Sequence, residues 1–286
     1  MALLTASSIS TLAVELLARS VVLPGTVAAI PGTEFAGDNG DTITVRVRQP
    51  RTAKTQATPG ATITYTPLDE TAVSVTVEHL YDATRVTDEQ LTLEIADFGA
   101  QVLQPMTAAV AAGAEDQVAA VMNGLPVDDA TVTASTVEDA VLAAREALGS
   151  ANVPTGDRYL AVSPAFATVL LRLDNLSDVS AAGSPGALRE ATIGRYRGFN
   201  VVESNALTAG TAVAYHRSGI VWGNRAPAIP DGAASAAASV SQGIALRTVR
   251  DFDPSVLSDV VAISTFAGAA LVDADRVYKL ALTGSS

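Results

Sequence analysis

Few residues in this chain are of the types that build a catalytic centre. There are two histidines, His79 and His216, and no cysteine. A thiolate nucleophile, a thiolate metal site and a disulfide framework are therefore excluded. His216 stands between Tyr215 and Arg217 near a predicted strand. A Ser-His-Asp set can be assembled on paper, but such a set is known by geometry and not by composition. Neither a Gly-x-Ser-x-Gly elbow nor a Gly-x-x-x-x-Gly-Lys-Ser/Thr loop occurs. His79 alternates with Val77 and Tyr81, which puts it on a strand face. Adjacent or alternate acids stand at Asp128-Asp129, Asp251/Asp253 and Asp273/Asp275. Such pairs can hold a hard cation, but no calcium-loop pattern surrounds them, and solvated turns are the simpler reading. No catalytic residue, cofactor or metal site is predicted.

The charge pattern carries more. Arg46, Arg48, Arg51 and Lys54 fall in a stretch with no acid between Thr42 and Leu68. Residues 86–144 hold ten acids, Glu115 and Asp116 among them, and no Lys or Arg. A basic projection and an acidic stretch of helix are what pairing between copies of one chain requires. The alternatives are chance clustering in a solvated hairpin, or a basic tip that touches DNA. A net charge of −12 argues against tight nucleic-acid binding, which rests on Lys and Arg.

Around these residues the chain has room for one large or two ordinary domains. It is 48% hydrophobic but only 5% aromatic, a composition suited to sheets and small-residue helices. Residues 3–19 read as a weakly amphipathic helix, followed by an extended arm through Pro24, Gly25, Pro31 and Gly32. The turn Asp38-Asn39-Gly40-Asp41 leads into Ile43, Val45 and Val47. These pair with Val73, Val75 and Val77 as a long hairpin with a soft tip, a ribbon too thin to be stable alone. Leu91, Leu93 and Ile95 alternate as a short strand. A helix follows over 97–122, with Pro105 marking a kink or a late start and Asn123-Gly124 its end. Ser135 with Glu138, or Thr136 with Asp139, forms a capping box for a helix closed by Gly149. Ser163-Pro164 caps another helix after a buried strand. Residues 174–186 and 226–239 read as loops. Strands follow near Val201, Val213, Val221-Trp222, 244–249, 260–266 and 277–280. No targeting or membrane segment is convincing, which predicts a soluble, intracellularly made protein.

Two runs carry a family likeness: Tyr159-Leu160-Ala161-Val162-Ser163-Pro164 with Phe166, Leu170 and Leu171, and Ile193-Gly194-Arg195-Tyr196-Arg197-Gly198-Phe199-Asn200-Val201-Val202-Glu203-Ser204-Asn205. Together with the order of elements they resemble bacteriophage major capsid proteins of HK97-type fold, most closely the P22-like coat branch in a short form. The resemblance implies an α+β fold with a division of the chain into five parts. These are an N-terminal arm (1–38), an extended hairpin loop (39–78), a peripheral domain with its spine helix (79–150), an axial domain (151–250) and return strands of the peripheral domain (251–286).

What the resemblance implies in function is a structural subunit, not an enzyme, that assembles with itself as hexamers and pentamers into an icosahedral shell around double-stranded DNA. Portal, scaffolding and decoration proteins are its possible partners. It would reside in the virion after assembly in the host cytoplasm. Arg46, Arg48, Arg51 and Lys54 would then meet Glu115 and Asp116 of a neighbour. Some shells of this fold join a hairpin lysine to a neighbour's asparagine, and Lys54 stands in the hairpin, though a solvated tip lysine is the simpler reading. An encapsulin-like compartment shell, and from another class an acidic hydrolase, remain as alternatives.

Overall fold

Period-two runs of Val, Ile and Thr build three sheets, and one helix joins the cores of two of them. The computed structural model describes residues 22–31, 41–48, 51–67, 69–95, 98–173, 194–241 and 244–283. The expected helix over 3–19, most of the turn at 38–41 and the loop over 174–186 lie outside the described residues.

The hairpin forms in the expected register. Strand β2 (Thr42–Arg48) pairs antiparallel with β3 (Glu70–Thr76), from Thr42 opposite Thr76 to Arg48 opposite Glu70. Ile43, Val75 and Val77 at its base are buried. Beyond the Arg48–Glu70 pair, residues 51–67 form no strand. At the other end β3 passes through Val77 directly into β4 (Glu78–Thr87).

Strand β4 lies antiparallel to β13 (Ser258–Leu271), the 14-residue centre of the first sheet. The other edge of β13 takes two strands in succession. Ile220–Arg225 (β10) pairs with its second half and Ile244–Asp253 (β12) with its first. At the splice the Asn224 amide replaces a backbone ladder. Its Nδ2 donates to Thr265 Oγ1 at 2.8 Å and to the Phe266 carbonyl at 2.9 Å, and its Oδ1 accepts from the Ala245 N–H. Ala28–Ile30 (β1) adds in parallel to β10. Ser235–Ser241 (β11) adds antiparallel to β12, which corrects the loop expected over 226–239. Small Ser and Ala side chains carry weak strand preference, and here the backbone ladder to β12 decides.

The expected strand at Leu91–Ile95 is instead a wide helical turn, Gln90–Glu94. Thr87 and Gln90 bond reciprocally: the Thr87 N–H donates to Gln90 Oε1 at 3.1 Å and the Gln90 N–H to Thr87 Oγ1 at 3.3 Å. That is a capping box of the Thr-x-x-Gln type, and the Ile95 N–H closes the turn on Gln90 O at 2.8 Å. A second π-type turn, Gly99–Leu103, precedes the long helix Gln104–Asn123. Pro105 has no N–H to donate, so the regular ladder starts late, as the sequence predicts. The Gly124 N–H ends it on Ala120 O at 2.9 Å.

The second sheet has the order β5-β14-β9-β6-β8-β7, formed by Asp129–Val132, Val277–Leu282, Thr211–His216, Arg158–Val162, Phe199–Glu203 and Arg195–Tyr196. Helix Val137–Ser150 and helix Pro164–Leu171 cover it, burying Val141, Leu148, Phe166 and Leu170 against Leu160, Phe199 and Leu280. The first of these helices has Thr136 as its N-cap residue, but the Thr136 side chain makes no capping bond to the helix, so the Thr136/Asp139 box does not form. Thr136 Oγ1 accepts instead from the Thr133 N–H at 2.9 Å. The helix also runs one residue past Gly149, and Asn152, with φ 57°, takes the left-handed position after it. The run around Phe199 behaves as read: Arg197 (φ 48°) and Gly198 (φ 93°) turn the chain between β7 and β8. The ranges 79–150, 151–250 and 251–286 each contribute strands to both large sheets, so the two cores interleave along the chain.

Gly268 sets the crossing between body and hairpin. A Cβ there would stand 2.1 Å from the Thr76 carbonyl oxygen and 2.9 Å from the Val77 Cα. Gly268→Ala must push the hairpin base off β13. The expected outcome is a loss of about 1–3 kcal/mol, as for other overpacked sites, read by urea denaturation. Unchanged stability would mean that the crossing is slack.

Candidate intersubunit surface

The basic residues singled out in the sequence lie on the hairpin, and their own chain engages three of them. Arg46 Nη1 lies 3.8 Å from Glu70 Oε2, in a pair 77% and 31% exposed. Arg51 Nη2 donates to the Thr66 carbonyl at 2.6 Å, and Lys54 Nζ to the Thr64 carbonyl at 3.2 Å. Gln56 Nε2 adds a bond to the Ala61 carbonyl at 2.6 Å. Side chains of one limb thus bridge to carbonyls of the other where no ladder runs. Every one of these bonds is exposed, so each competes with water and is cheap to exchange. Ile63 (56% exposed) and Tyr65 (84%), two apart on one limb, present an apolar face at the tip. Arg48 ends β2 opposite Glu70.

The two acids expected to receive them differ. Glu115 is half-buried on the long helix and accepts from Ser204 Oγ at 2.7 Å. Asp116 is exposed. Among the described residues, neither acid bonds the basic side chains of the hairpin of the same chain. Elsewhere in the acidic stretch, Glu138 pairs with Arg197, Asp128 Oδ2 accepts from the Lys279 N–H at 2.7 Å, and Asp129 accepts from the Thr131 N–H at 2.8 Å.

The paired acids act as turn caps. Asp253 Oδ1 accepts from the Ser255 N–H at 3.0 Å, and Asp273 pairs with Arg276 at 2.8 Å. Among the described residues no group of three or more metal-ligating side chains forms. His216 Nδ1 lies 2.8 Å from Ser218 Oγ, which also accepts from Arg276. Asp273, the acid beside this pair, bonds Arg276 rather than the imidazole. Burial first, then the Arg276 charge, holds the His216 pKa below its usual value. No described helix is long and apolar enough to cross a membrane.

Sequence reasoning missed the buried polar ties. Lys279 is 5% exposed, and its Nζ donates to the Asn123 and Leu125 carbonyls at 2.6 and 3.1 Å, at the C-terminal end of the long helix. A cation suits that end of the helix dipole, while desolvation lowers its pKa. Arg158, 4% exposed, donates to the Pro154 and Val153 carbonyls at 2.8 and 2.6 Å. Tyr215 is fully buried and hydrogen-bonds Thr26, whose hydroxyl donates to Leu23 O at 2.7 Å. The available signal was a charged residue inside an otherwise apolar strand, as in Val277–Leu282.

A body of two interleaved sheets, a long helix between them and a projecting basic ribbon defines an HK97-type capsid subunit. Residues 69–280 match the family model described as phage capsid protein. The chain belongs to that family and is a structural capsid protein of the phage type. Solved structures agree in fold. The Mycobacterium phage Che8 structure matches with TM-score 0.68 at 20% identity, covering 91% of this chain and 90% of that one. The capsid of cyanophage P-SCSP1u gives 0.67 at 14%, covering 93% and 89%. The mature capsid of bacteriophage PhiM1 gives 0.64 at 16%, covering 92% and 87%. No curated protein sequence matches. Membership of a phage capsid family disfavours the compartment-shell alternative.

Tyr215 supplies a test of how the N-terminal segment is anchored. Burial raises its phenol pKa well above the usual value, and the Thr26 bond offsets this only in part. Below the unfolded pKa, about 10, its contribution to stability is fully present. It is lost as pH rises from there toward the folded value, because only the unfolded phenol ionises. Tyr215→Phe is expected to cost about 1 kcal/mol at neutral pH and to flatten the loss of stability above pH 10, read by urea denaturation across that range. An unchanged alkaline slope would show that Tyr215 does not govern it.

Proposed function

We propose that this chain is the shell subunit of a phage head, closest to the P22-like coat branch. It assembles with itself, as hexamers and pentamers, into an icosahedral capsid that encloses double-stranded DNA. Assembly takes place in the host cytoplasm, with portal, scaffolding and decoration proteins as further partners. The observation that carries this reading is the hairpin. A two-stranded ribbon is marginal in water by itself, and among its described residues this one buries side chains only at its base while exposing Ile63 and Tyr65. A surface supplied by a second copy gives it the missing contact. The net charge of −12 suits a container that repels its cargo weakly and reads no sequence.

In this reading Arg46, Arg48, Arg51 and Lys54 face the acidic stretch of a neighbour, with exposed Asp116 open to them and Glu115 open only after it releases Ser204. Exposed pairs contribute about 0–1 kcal/mol each and are screened by salt, but identical contacts repeat throughout a shell. Reversal of Arg48 and Arg51 to Glu is expected to slow or abolish shell formation at low salt, seen by electron microscopy, with the circular dichroism of the subunit unchanged. Normal assembly at low ionic strength would show that the tip does not work by charge.

Lys54 also bears on covalent joining of subunits. Amide formation with a neighbour's asparagine needs a positioned acid and a dry site. The exposed Lys54 ammonium lies in a stretch with no acid from Thr42 to Leu68. Denaturing electrophoresis of mature particles is expected to give one band at 29.1 kDa. A ladder of multiples would overturn this.

A further inference from the structure

Two of the chain's passages between the sheets run side by side. His216 ends β9 of the second sheet, the turn Arg217–Gly219 follows, and Ile220 starts β10 of the first. The return passage leaves β13 at Leu271 and enters β14 at Val277 through the turn Ala274–Arg276. The two backbones touch. The Val272 N–H donates to Gly219 O at 2.8 Å, and a Cβ on Gly219 would stand 3.0 Å from Arg276 Cβ and 3.2 Å from the Arg276 carbonyl oxygen. Side chains then fasten one turn to the other. Arg276 donates to Ser218 Oγ, and its Nε donates to Asp273 Oδ2 at 2.8 Å.

His216 completes this clasp as an acceptor. The Ser218 N–H donates to His216 Nδ1 at 3.2 Å, and Ser218 Oγ lies 2.8 Å from the same nitrogen. An N–H can point at Nδ1 only where that nitrogen carries no proton, so the imidazole is neutral with its proton on Nε2. The Arg276 guanidinium can only donate, which leaves the Ser218 hydroxyl proton free for Nδ1. A proton on Nδ1 would oppose the Ser218 N–H and put a cation on each side of one hydroxyl. The charges around the ring do not reverse this. Arg217, next in the chain, turns its Nε to Val27 O at 3.2 Å. Strand β6 brings Arg158, directly opposite His216, and exposed Asp157. The second turn brings Asp273, held by Arg276, and exposed Asp275. Among the described residues none of these acids bonds the imidazole. Burial and the Arg276 charge oppose protonation more than the Asp157 carboxylate favours it.

We infer that this clasp is an acid-sensitive fastening between the two sheets, closed while His216 is neutral and opened when a proton binds Nδ1. On opening, the two turns part and the Ser218 and Val272 amides lose their partners. The sign follows from the geometry. An imidazole in the opened joint binds a proton more readily than one in the closed joint. The closed form is therefore favoured in full above the free-imidazole value of about 6.5 and gives way as pH falls below it. The inference concerns the subunit itself and does not rest on the shell reading.

Backbone hydrogen exchange of the full chain tests it, read by mass spectrometry on peptides over 216–220 and 272–277 and corrected for the intrinsic effect of pH. Protection there is expected to fall between about pH 7 and pH 5, by up to about tenfold per pH unit for one proton bound on opening. His216→Asn keeps an acceptor for the N–H two residues on but does not titrate, so its protection is expected to stay level. His79→Asn removes the chain's other histidine and is expected to leave the fall intact. A level profile in the unsubstituted chain, an equal fall in His216→Asn, or loss of the fall in His79→Asn would overturn the clasp. If His216→Asn does not fold, exchange of the imidazole C2–H in the unsubstituted chain decides. Half-titration of His216 below the free-imidazole value supports the clasp, and half-titration at or above it removes it.

Discussion

The two large sheets depend on one apolar stripe shared between them. Along Gln104–Asn123, Met106, Val110 and Ala111 pack with Val86, Leu246, Val261 and Ile263 of the first sheet. Two turns further on, Ala114, Val118 and Met122 pack with Val213 and Tyr215 of the second sheet and with Ile220 and Trp222 of the first. Small residues at 111, 114 and 119 let the helix approach closely, and close packing leaves little freedom for one sheet to move against the other. Leu23 and Val27 enter the same middle cluster, so the first described segment is tied to the spine.

The polar ties follow from that arrangement. A helix that ends between two sheets buries its last carbonyls, which need donors once water is excluded. Lys279 supplies them from β14. Likewise, β13 is longer than either strand on its second edge, and the gap between them leaves backbone groups that Asn224 and Thr265 satisfy. Each tie joins elements far apart in sequence. This fits the interleaving of the three chain ranges through both sheets.

Much of the fold was legible where a local signal agreed with the tertiary outcome. Ile43, Val45 and Val47 against Val73 and Val75 gave the hairpin. Pro105 gave the late helix start, and Asn123-Gly124 its end. Ser163-Pro164 gave the start of the helix over Pro164–Leu171. Misreadings arose where two signals competed. Leu91, Leu93 and Ile95 alternate, but Thr87 and Gln90 cap a turn that overrides the alternation. Ser235–Ser241 has poor strand formers, but β12 offers it a full ladder. At the surface, clustering of Arg46, Arg48, Arg51 and Lys54 was visible in the sequence. That Arg51 and Lys54 bond limb to limb was not, because it depends on carbonyls 10–15 residues away.

The limb-to-limb bonds bear on how readily the tip can change its contacts. Held closed by Arg51, Lys54 and Gln56, it keeps several carbonyls occupied and its cations near its own backbone, which lowers its readiness to pair with any open strand. Because these bonds are exposed, they are worth little net energy, and a surface offering carboxylates in place of carbonyls outcompetes them through stronger, charge-assisted bonds. A fully laddered hairpin would lack that option, since opening it would break backbone pairs along its length. A ribbon whose base is laddered and whose described tip residues are held by exposed side-chain bonds can therefore exchange its tip contacts without losing its ladder.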